Sequence, residues 1–332
     1  MQKHNMKVIA LEEHFSAARV PDIELPKSKE AFFSNTCVGA PFHNDKSLLG
    51  EIGEKRLQYM SDMGVDVQVL STTTGQALNS DVAVDYCKKI NNYLYEQIKD
   101  NPEHFLGYAS IPTAVPQACA DELERCVKEL GFVGCMVGAR TEDEGYLARE
   151  EYEPFFAKAE ELDVPIYVHP GVPPEAVSEA CYKRYLSPKV GTALSMYGFG
   201  WHVDPGTHML NLVLSGVFDR HPNLKIIMGH WGELLPYFLD RFDDALPAEF
   251  TGLQHEPSYY LRNNLYVTPS GIYTPELLEY NLKMLGADHI LFSADYPWTS
   301  TKGIAEFFAN PVLSEEDREK IAYKNAEKLF HL

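Results

Sequence analysis

Short apolar runs and longer amphipathic segments alternate along the whole of this 332-residue chain. The first run, Val8 to Leu11, ends in Glu12, Glu13 and His14. An irregular stretch rich in Pro, Ser and Asn leads to a helical pattern over 48–63, and a second run, VDVQVLST, begins at Val65. Apolar residues at helical spacing predict a long helix over 81–100, followed by a third run, FLGYASI, from Phe105. The pattern over 117–130 predicts a helix stopped by Gly131, and FVGCMV from Phe132 is the fourth run. A helix over 150–162 precedes the fifth run, VPIYVHP, from Val164.

Residues 171–208 break the rhythm. They are rich in Gly, Pro and Tyr and read, like 16–47, as a long loop over an active site. The alternation then resumes, with a helix over 210–220, LKIIMGH from Leu224, a helix over 233–245, LYVTPS from Leu265, a helix over 275–285 and ILFSADYP from Ile290. The last helix opens with Ser314 followed three residues later by Asp317, close to a capping box, and runs to Phe330.

Eight strands, each followed by a helix or a long loop, predict an α/β fold of the (β/α)8 barrel type, one domain over 1–332. An open doubly wound sheet is the competing architecture. No G-x-G-x-x-G follows any strand, so the phosphate cradle of dinucleotide folds is missing. A barrel adds a sharper expectation, because its chemistry lies at the C-terminal ends of the strands.

The strand ends carry that chemistry. Strand 1 ends in Glu12 and His14, which as i and i+2 residues point the same way. Strand 5 ends in His169, strand 6 in His230 and strand 8 in Asp295. Closing the barrel brings them to one mouth. Carboxylates with imidazoles suit one borderline divalent ion, Zn2+ or Mn2+, with positions left for substrate or water. FVGCMVGAR offers no Lys at the end of strand 4 to bridge a second metal. Glu233, three residues after His230 and near a helix N-terminus, is placed to orient that imidazole as an acid/base dyad. Arg241 can pair with this carboxylate or bind a substrate anion. No nucleophile elbow of the G-x-S-x-G kind is present, which speaks against covalent acyl transfer.

Composition narrows the partners. A formal charge of −19 disfavours nucleic acid, whose binding needs clustered Lys and Arg. With 45% hydrophobic and 23% charged residues and no apolar run long enough to span a bilayer, the expectation is no membrane. The N-terminus lacks a secretory pattern, and Cys37, Cys87, Cys119, Cys126, Cys135 and Cys181 form no C-x-x-C pair. Both point to a cytoplasmic protein with reduced thiols.

Taken together, ALEEHF, VPIYVHP, GVFDRHPNLKIIMGHWGELLPY, ILFSADYPW and KNAEKLF resemble the metal-dependent aromatic acid decarboxylases of the amidohydrolase superfamily, in particular the γ-resorcylate and 2,3-dihydroxybenzoate decarboxylases. The resemblance covers nearly the whole chain. It implies Glu12, His14, His169 and Asp295 as ligands of one Mn or Zn ion, with His230 and Glu233 as the supporting dyad. Glu-x-His in place of His-x-His at strand 1 points to the decarboxylase branch. One departure stands out: Gly138 lies where the resorcylate enzymes carry Asn.

The implied reaction is non-oxidative loss of carbon dioxide from a salicylate-type hydroxybenzoate. Asp295 would deliver the proton to the ring carbon and His230 would polarise or deprotonate the hydroxyl. The ring is expected among Phe15, Trp231, Tyr296 and Trp298, and the family suggests a homodimer or homotetramer. The alternative reading is a mononuclear hydrolase or hydratase acting on a lactone or an unsaturated dicarboxylate.

Overall fold

The computed structural model describes residues 6–23, 50, 52–72, 79–299 and 303–332. The strands are β1 (Ile9–Phe15), β2 (Val67–Thr72), β3 (Phe105–Gly107), β4 (Ala109–Ser110), β5 (Cys135–Gly138), β6 (Ile166–His169), β7 (Ile226–Met228) and β8 (Leu265–Val267). All pair in parallel, in the order β1-β2-β3 and β4-β5-β6-β7-β8. β3 and β4 form one barrel position interrupted at Tyr108, whose N–H still reaches the Leu70 carbonyl while Ala109 N–H reaches Gly134.

Residues 290–296 close the circle. Leu291 N–H donates to Val267 O on one side; on the other, Leu11 N–H donates to Phe292 O and His14 N–H to Tyr296 O. The eighth run therefore occupies a strand position but makes only single bridges, Val267 to Ile290 and Glu13 to Tyr296. The chain is a (β/α)8 barrel.

Helices wrap this wall where the sequence places them. The helix Ser80–Ile98 is capped by the Asn79 side chain and buries Ala83, Cys87, Ile90, Leu94 and Ile98 at three- and four-residue spacing. Pro116–Leu130 starts with Pro in its first turn and stops at Gly131, whose φ of +68° suits a residue without Cβ. Two apolar compartments result. Ile9, Leu11, Val67, Val69, Tyr108, Met136, Tyr167, Ile227 and Leu291 fill the barrel, and a larger cluster seals strands to helices. Each fully buried aliphatic side chain contributes roughly 1.5–3 kcal/mol.

The terminal helix Asn325–Phe330 stoppers the barrel at the N-terminal ends of the strands. Phe330 meets Tyr108 edge-on at 6.0 Å, and the neighbouring Glu327 and His331 pair with Lys7 and Asp163, which precede β1 and β6. The opposite end is left for chemistry.

Two expectations are revised. Residues 171–208 are not a loop but mostly short helices, Glu175–Val177, Ser178–Lys183, Pro188–Ala193 and Leu194–Gly198, leading into Gly200–Leu214. Their Gly and Pro punctuate helical turns rather than prevent them. The helix expected over 233–245 is broken into a turn at His230–Glu233, a 3-10 turn at Leu235–Phe238 and a helix at Leu239–Ala245. Positive φ at His230, Trp231, Gly232, Glu233 and Leu234 interrupts it. Glu233 thus has no helix dipole to draw on.

Most of the stretch 16–47 lies outside the described residues, as does Cys37; the other five cysteines are free thiols. No helix among the described residues is long and apolar enough to cross a membrane.

Candidate metal centre

A one-residue bulge in β1 decides which side chains enter the barrel. Ile9 aligns with Val67 and Ala10 with Gln68, but beyond the bulge Glu13 aligns with Leu70 and His14 with Ser71. Ile9 and Leu11 point into the barrel, so strict alternation would have sent Glu13 and Phe15 inward. The extra residue flips the phase and turns Glu12 and His14 inward instead. Both are fully buried.

There they meet His169. Single ligand atoms of Glu12, His14 and His169 all lie within 4.8 Å of one another. Glu12 Oε1 is 3.4 Å from His169 Nε2, and Asp295 Oδ1 is 3.2 Å from His14 Nε2. The outer atoms of these side chains are fixed from behind: His14 Nδ1 by Ser71 Oγ at 3.1 Å, His169 Nδ1 by the Pro170 carbonyl at 2.7 Å. Glu12 Oε2 accepts from the Tyr167 hydroxyl at 2.7 Å and from Ser270 Oγ. Glu12 Oε1 and His14 Nε2, by contrast, are buried with no hydrogen-bond partner.

Leaving two buried polar atoms unmatched costs about 1–3 kcal/mol each. A cation between them removes that cost. The donor set is one carboxylate, two imidazoles and a second carboxylate with their outer nitrogens and oxygens already oriented, as metal ligands require. The residues fit a single divalent ion.

Electrostatics agree with that reading. Burial raises the Glu12 carboxyl, and burial together with the neighbouring His14 holds His169 down to about 3, the neutral form that ligates. Burial also works against ionised Asp295, yet the imidazoles of His14 and His230 beside it outweigh that and lower its pKa. Asp295 and Ser270 both adopt left-handed backbone, φ +55° and +44°, strain of the kind held at functional sites. Gly229 is required here: a Cβ would sit 2.6 Å from Ser270 Oγ, 2.7 Å from Glu12 Oε2 and 2.9 Å from Tyr167 OH.

Beside the cluster, His230 Nδ1 lies 2.7 Å from Glu233 Oε1, and His230 Nε2 faces Asp295 Oδ2 at 3.9 Å. Burial opposes protonation of His230, but Glu233 and Glu12 prevail and raise its pKa well above the ordinary value. Glu233 has a second partner, His202, at 2.8 Å.

The structure thus gathers Glu12, His14, His169, Asp295, His230 and Glu233. It places others elsewhere. Phe15 is on the outward face of β1, fully buried and stacked on Tyr93, so it is a core residue and not a substrate contact. Trp231 is buried with its indole N–H on the Ile272 carbonyl, and Tyr296 is buried under Arg56. Trp298 is partly exposed just beyond Asp295. Arg241 is exposed on the helix Leu239–Ala245 and is not among the partners of Glu233, whose oxygens are taken by His230 and His202. Gly138 ends β5 in register with His169.

Four contributors escaped the sequence reading. Tyr167 was findable, since it stands two residues before His169 and shares its inward face. Ser270, Glu13 and His202 carry no local signal. Glu13 faces outward, where its oxygens accept the N–H groups of Ala294 and Tyr296 and burial lifts its pKa to about 8.

Barrel and cluster together define a metal-dependent enzyme of the (β/α)8 class. The Amidohydrolase family model matches residues 22–332. A gamma-resorcylate decarboxylase of Polaromonas sp. strain JS666 is 35% identical over 98% of each chain. A 2,6-dihydroxybenzoate decarboxylase solved with 2,6-dihydroxybenzoate superposes with a TM-score of 0.83 at 30% identity, covering 98% of this chain and 100% of that one. A dihydroxybenzoic acid decarboxylase from Polaromonas sp. JS666, solved with manganese and the inhibitor 2-nitroresorcinol, gives 0.81 at 32% identity over 98% and 97%. This chain belongs to the amidohydrolase family, and its similarity runs end to end to decarboxylases within it.

Proposed function

We propose that this chain is a metal-dependent, non-oxidative decarboxylase of salicylate-type hydroxybenzoates, with 2,6-dihydroxybenzoate-like acids as its substrates and Mn2+ as its ion ahead of Zn2+. The observation that carries the proposal is the pair of unpartnered buried atoms, Glu12 Oε1 and His14 Nε2, between His169 and Asp295. The end-to-end similarity to decarboxylases, one of them with manganese bound, supports substrate class and ion.

Glu12, His14, His169 and Asp295 would hold the ion, which would supply Lewis acidity toward the substrate's oxygens. The remaining work falls to side chains. Protonated His230, whose Nε2 faces Asp295 Oδ2, hands a proton to Asp295, which delivers it to the ring carbon that bears the carboxylate. The bond from that carbon to the carboxylate then breaks, its electron pair returns to the ring, and carbon dioxide leaves. His230, with Nε2 toward Asp295 and Nδ1 held by Glu233, polarises the hydroxyl and resupplies the proton. Water is excluded by the burial of every ligand, none more than 8% exposed.

The test is carbon dioxide release from 2,6- and 2,3-dihydroxybenzoate and salicylate by protein loaded with Mn2+ or Zn2+, against a chelated control. Metal-dependent release is expected, fastest with 2,6-dihydroxybenzoate. No release from any acid, with one metal bound per chain, would overturn the proposal and favour a hydrolase or hydratase. The enzyme is further proposed to work in the cytoplasm as a homodimer or homotetramer, with the exposed Leu234, Tyr237 and Phe238 as contact residues; light scattering tests the assembly.

A further inference from the structure

His202 stands in the first turn of the helix Gly200–Leu214, within the stretch read from its composition as an active-site cover but with no motif of its own. Its Nδ1 lies 2.8 Å from Glu233 Oε2, and its Nε2 faces the Tyr197 carbonyl at 3.3 Å, which fixes the ring plane. On the other side of the same carboxylate, His230 Nδ1 lies 2.7 Å from Oε1. The two imidazoles are 4.5 Å apart, edge to face. Glu233 is therefore clasped by two N–H donors.

The turn that carries Glu233 cannot hold this geometry unaided. His230, Trp231, Glu233 and Leu234 have φ of 48°, 61°, 52° and 72°, conformations that persist only where the surroundings over-determine them. Trp231 N–H on the Thr268 carbonyl and His230 N–H on Ser270 Oγ pin the backbone. His202 pins the side chain. Gly206, one turn further on, lies so close that a Cβ would be 2.6 Å from the Glu233 carbonyl, so the helix is seated directly on the turn.

The trio His202, His230 and Glu233 also has ligand atoms within 4.8 Å of one another. Unlike Glu12 and His14, it contributes none of the buried unpartnered atoms among the described residues, so its contacts are hydrogen bonds already made.

We propose that His202 is a positioning residue: it holds one oxygen of Glu233 so that the other accepts His230 Nδ1–H, which fixes the ring orientation of His230 and leaves its Nε2 directed at Asp295. The role rests on the decarboxylase reading. A fixed imidazole saves the reorganisation that a free one would need in each turnover.

The test uses His202→Phe, which keeps a ring without N–H, and His202→Asn, whose amide can replace the Nδ1 donor. The measurements are kcat, KM and metal content of the loaded enzyme, and the 15N-resolved Nδ1–H resonance of His230 in chelated protein. In His202→Phe, kcat is expected to fall about 10- to 100-fold, the range typical of groups that orient a catalytic residue, with KM and metal content within about twofold. The His230 resonance should shift or vanish, and His202→Asn should restore both. Wild-type kcat in His202→Phe, an unchanged His230 resonance, or a loss in step with metal content that Asn does not rescue would overturn the proposal. Should His202→Phe not fold, the kcat and resonance of His202→Asn decide, since both should then lie near wild type. A wild-type protein inactive on every acid would defeat the decarboxylase reading alone; the His230 resonance would still decide the positioning role.

Discussion

Glu13 brackets Asp295: one of its carboxylate oxygens accepts the Ala294 N–H at 2.8 Å and the other the Tyr296 N–H at 3.2 Å. Neither side chain could be paired with the other by sequence distance. Gln68 Nε2 approaches the same carboxylate at 3.4 Å, while Arg56 holds Gln68 Oε1 and the His14 carbonyl. The outer face of β1 is thereby tied to the segment that presents Asp295. Because Glu12 and His14 lie on the inner face of the same strand, this clamp sets the spacing between ligands from opposite ends of the chain. In Glu13→Gln the amide NH2 must confront an N–H donor. Metal affinity is expected to drop about 10- to 100-fold with the fold retained, as read by metal titration and circular dichroism. An unchanged affinity would show that the clamp does not govern the site.

Gly229→Ala places a methyl group against Ser270, Glu12 and Tyr167 at distances no real Cβ tolerates. Overpacking of this kind costs about 1–3 kcal/mol. Relief has to come from Glu12 or Ser270, so the variant should melt lower and bind metal poorly. Melting of chelated protein separates the packing cost from the lost ion. Wild-type melting together with wild-type metal affinity would contradict the predicted crowding.

Asp295→Asn keeps the size and removes the carboxylate charge. Turnover of hydroxybenzoates should disappear while the chelated protein keeps its fold, as read by circular dichroism. Measurable kcat in this variant would remove Asp295 from the role of proton donor.

His208 supplies a pH prediction clear of the metal ligands. Burial, with the Arg140 charge adding to it, pushes its pKa down to about 3, and its Nε2 accepts the Leu147 N–H. Between about pH 3 and the ordinary value of about 6.5 the unfolded chain binds a proton that the native state refuses, so stability rises with pH across that window. Acidifying chelated protein from pH 7 to 5 should cost about 2 kcal/mol through this residue. His208→Gln should flatten the melting temperature over the same range, and equal slopes for the two proteins would refute the assignment.

Much of this was legible in the chain. The runs ending in Glu12, His14, His169, His230 and Asp295 fall in or beside the barrel wall at β1, β6, β7 and the closing segment 290–296, and the capping signals at Gly131 and Ser314 sit at real helix ends. Such features are local, set by neighbours three or four residues away or by the period of a strand. Phe15 was misjudged because both faces of a barrel strand are buried, so an apolar or aromatic residue there does not announce which side it takes.

The sequence by itself determined the alternation of strands and helices, the barrel that follows from it, and the residue types waiting at its mouth. Only the tertiary structure decided which of Glu12 and Glu13 faces the centre, through a bulge visible only in the pairing with β2. It alone brought Glu13 to the residues flanking Asp295 and His202 to Glu233, and folded 171–208 mostly into helices, of which Gly200–Leu214 sits against the Glu233 turn. The division has one cause: periodicity is written between near neighbours, whereas a hydrogen bond across 31 or 281 positions exists only once the barrel has closed.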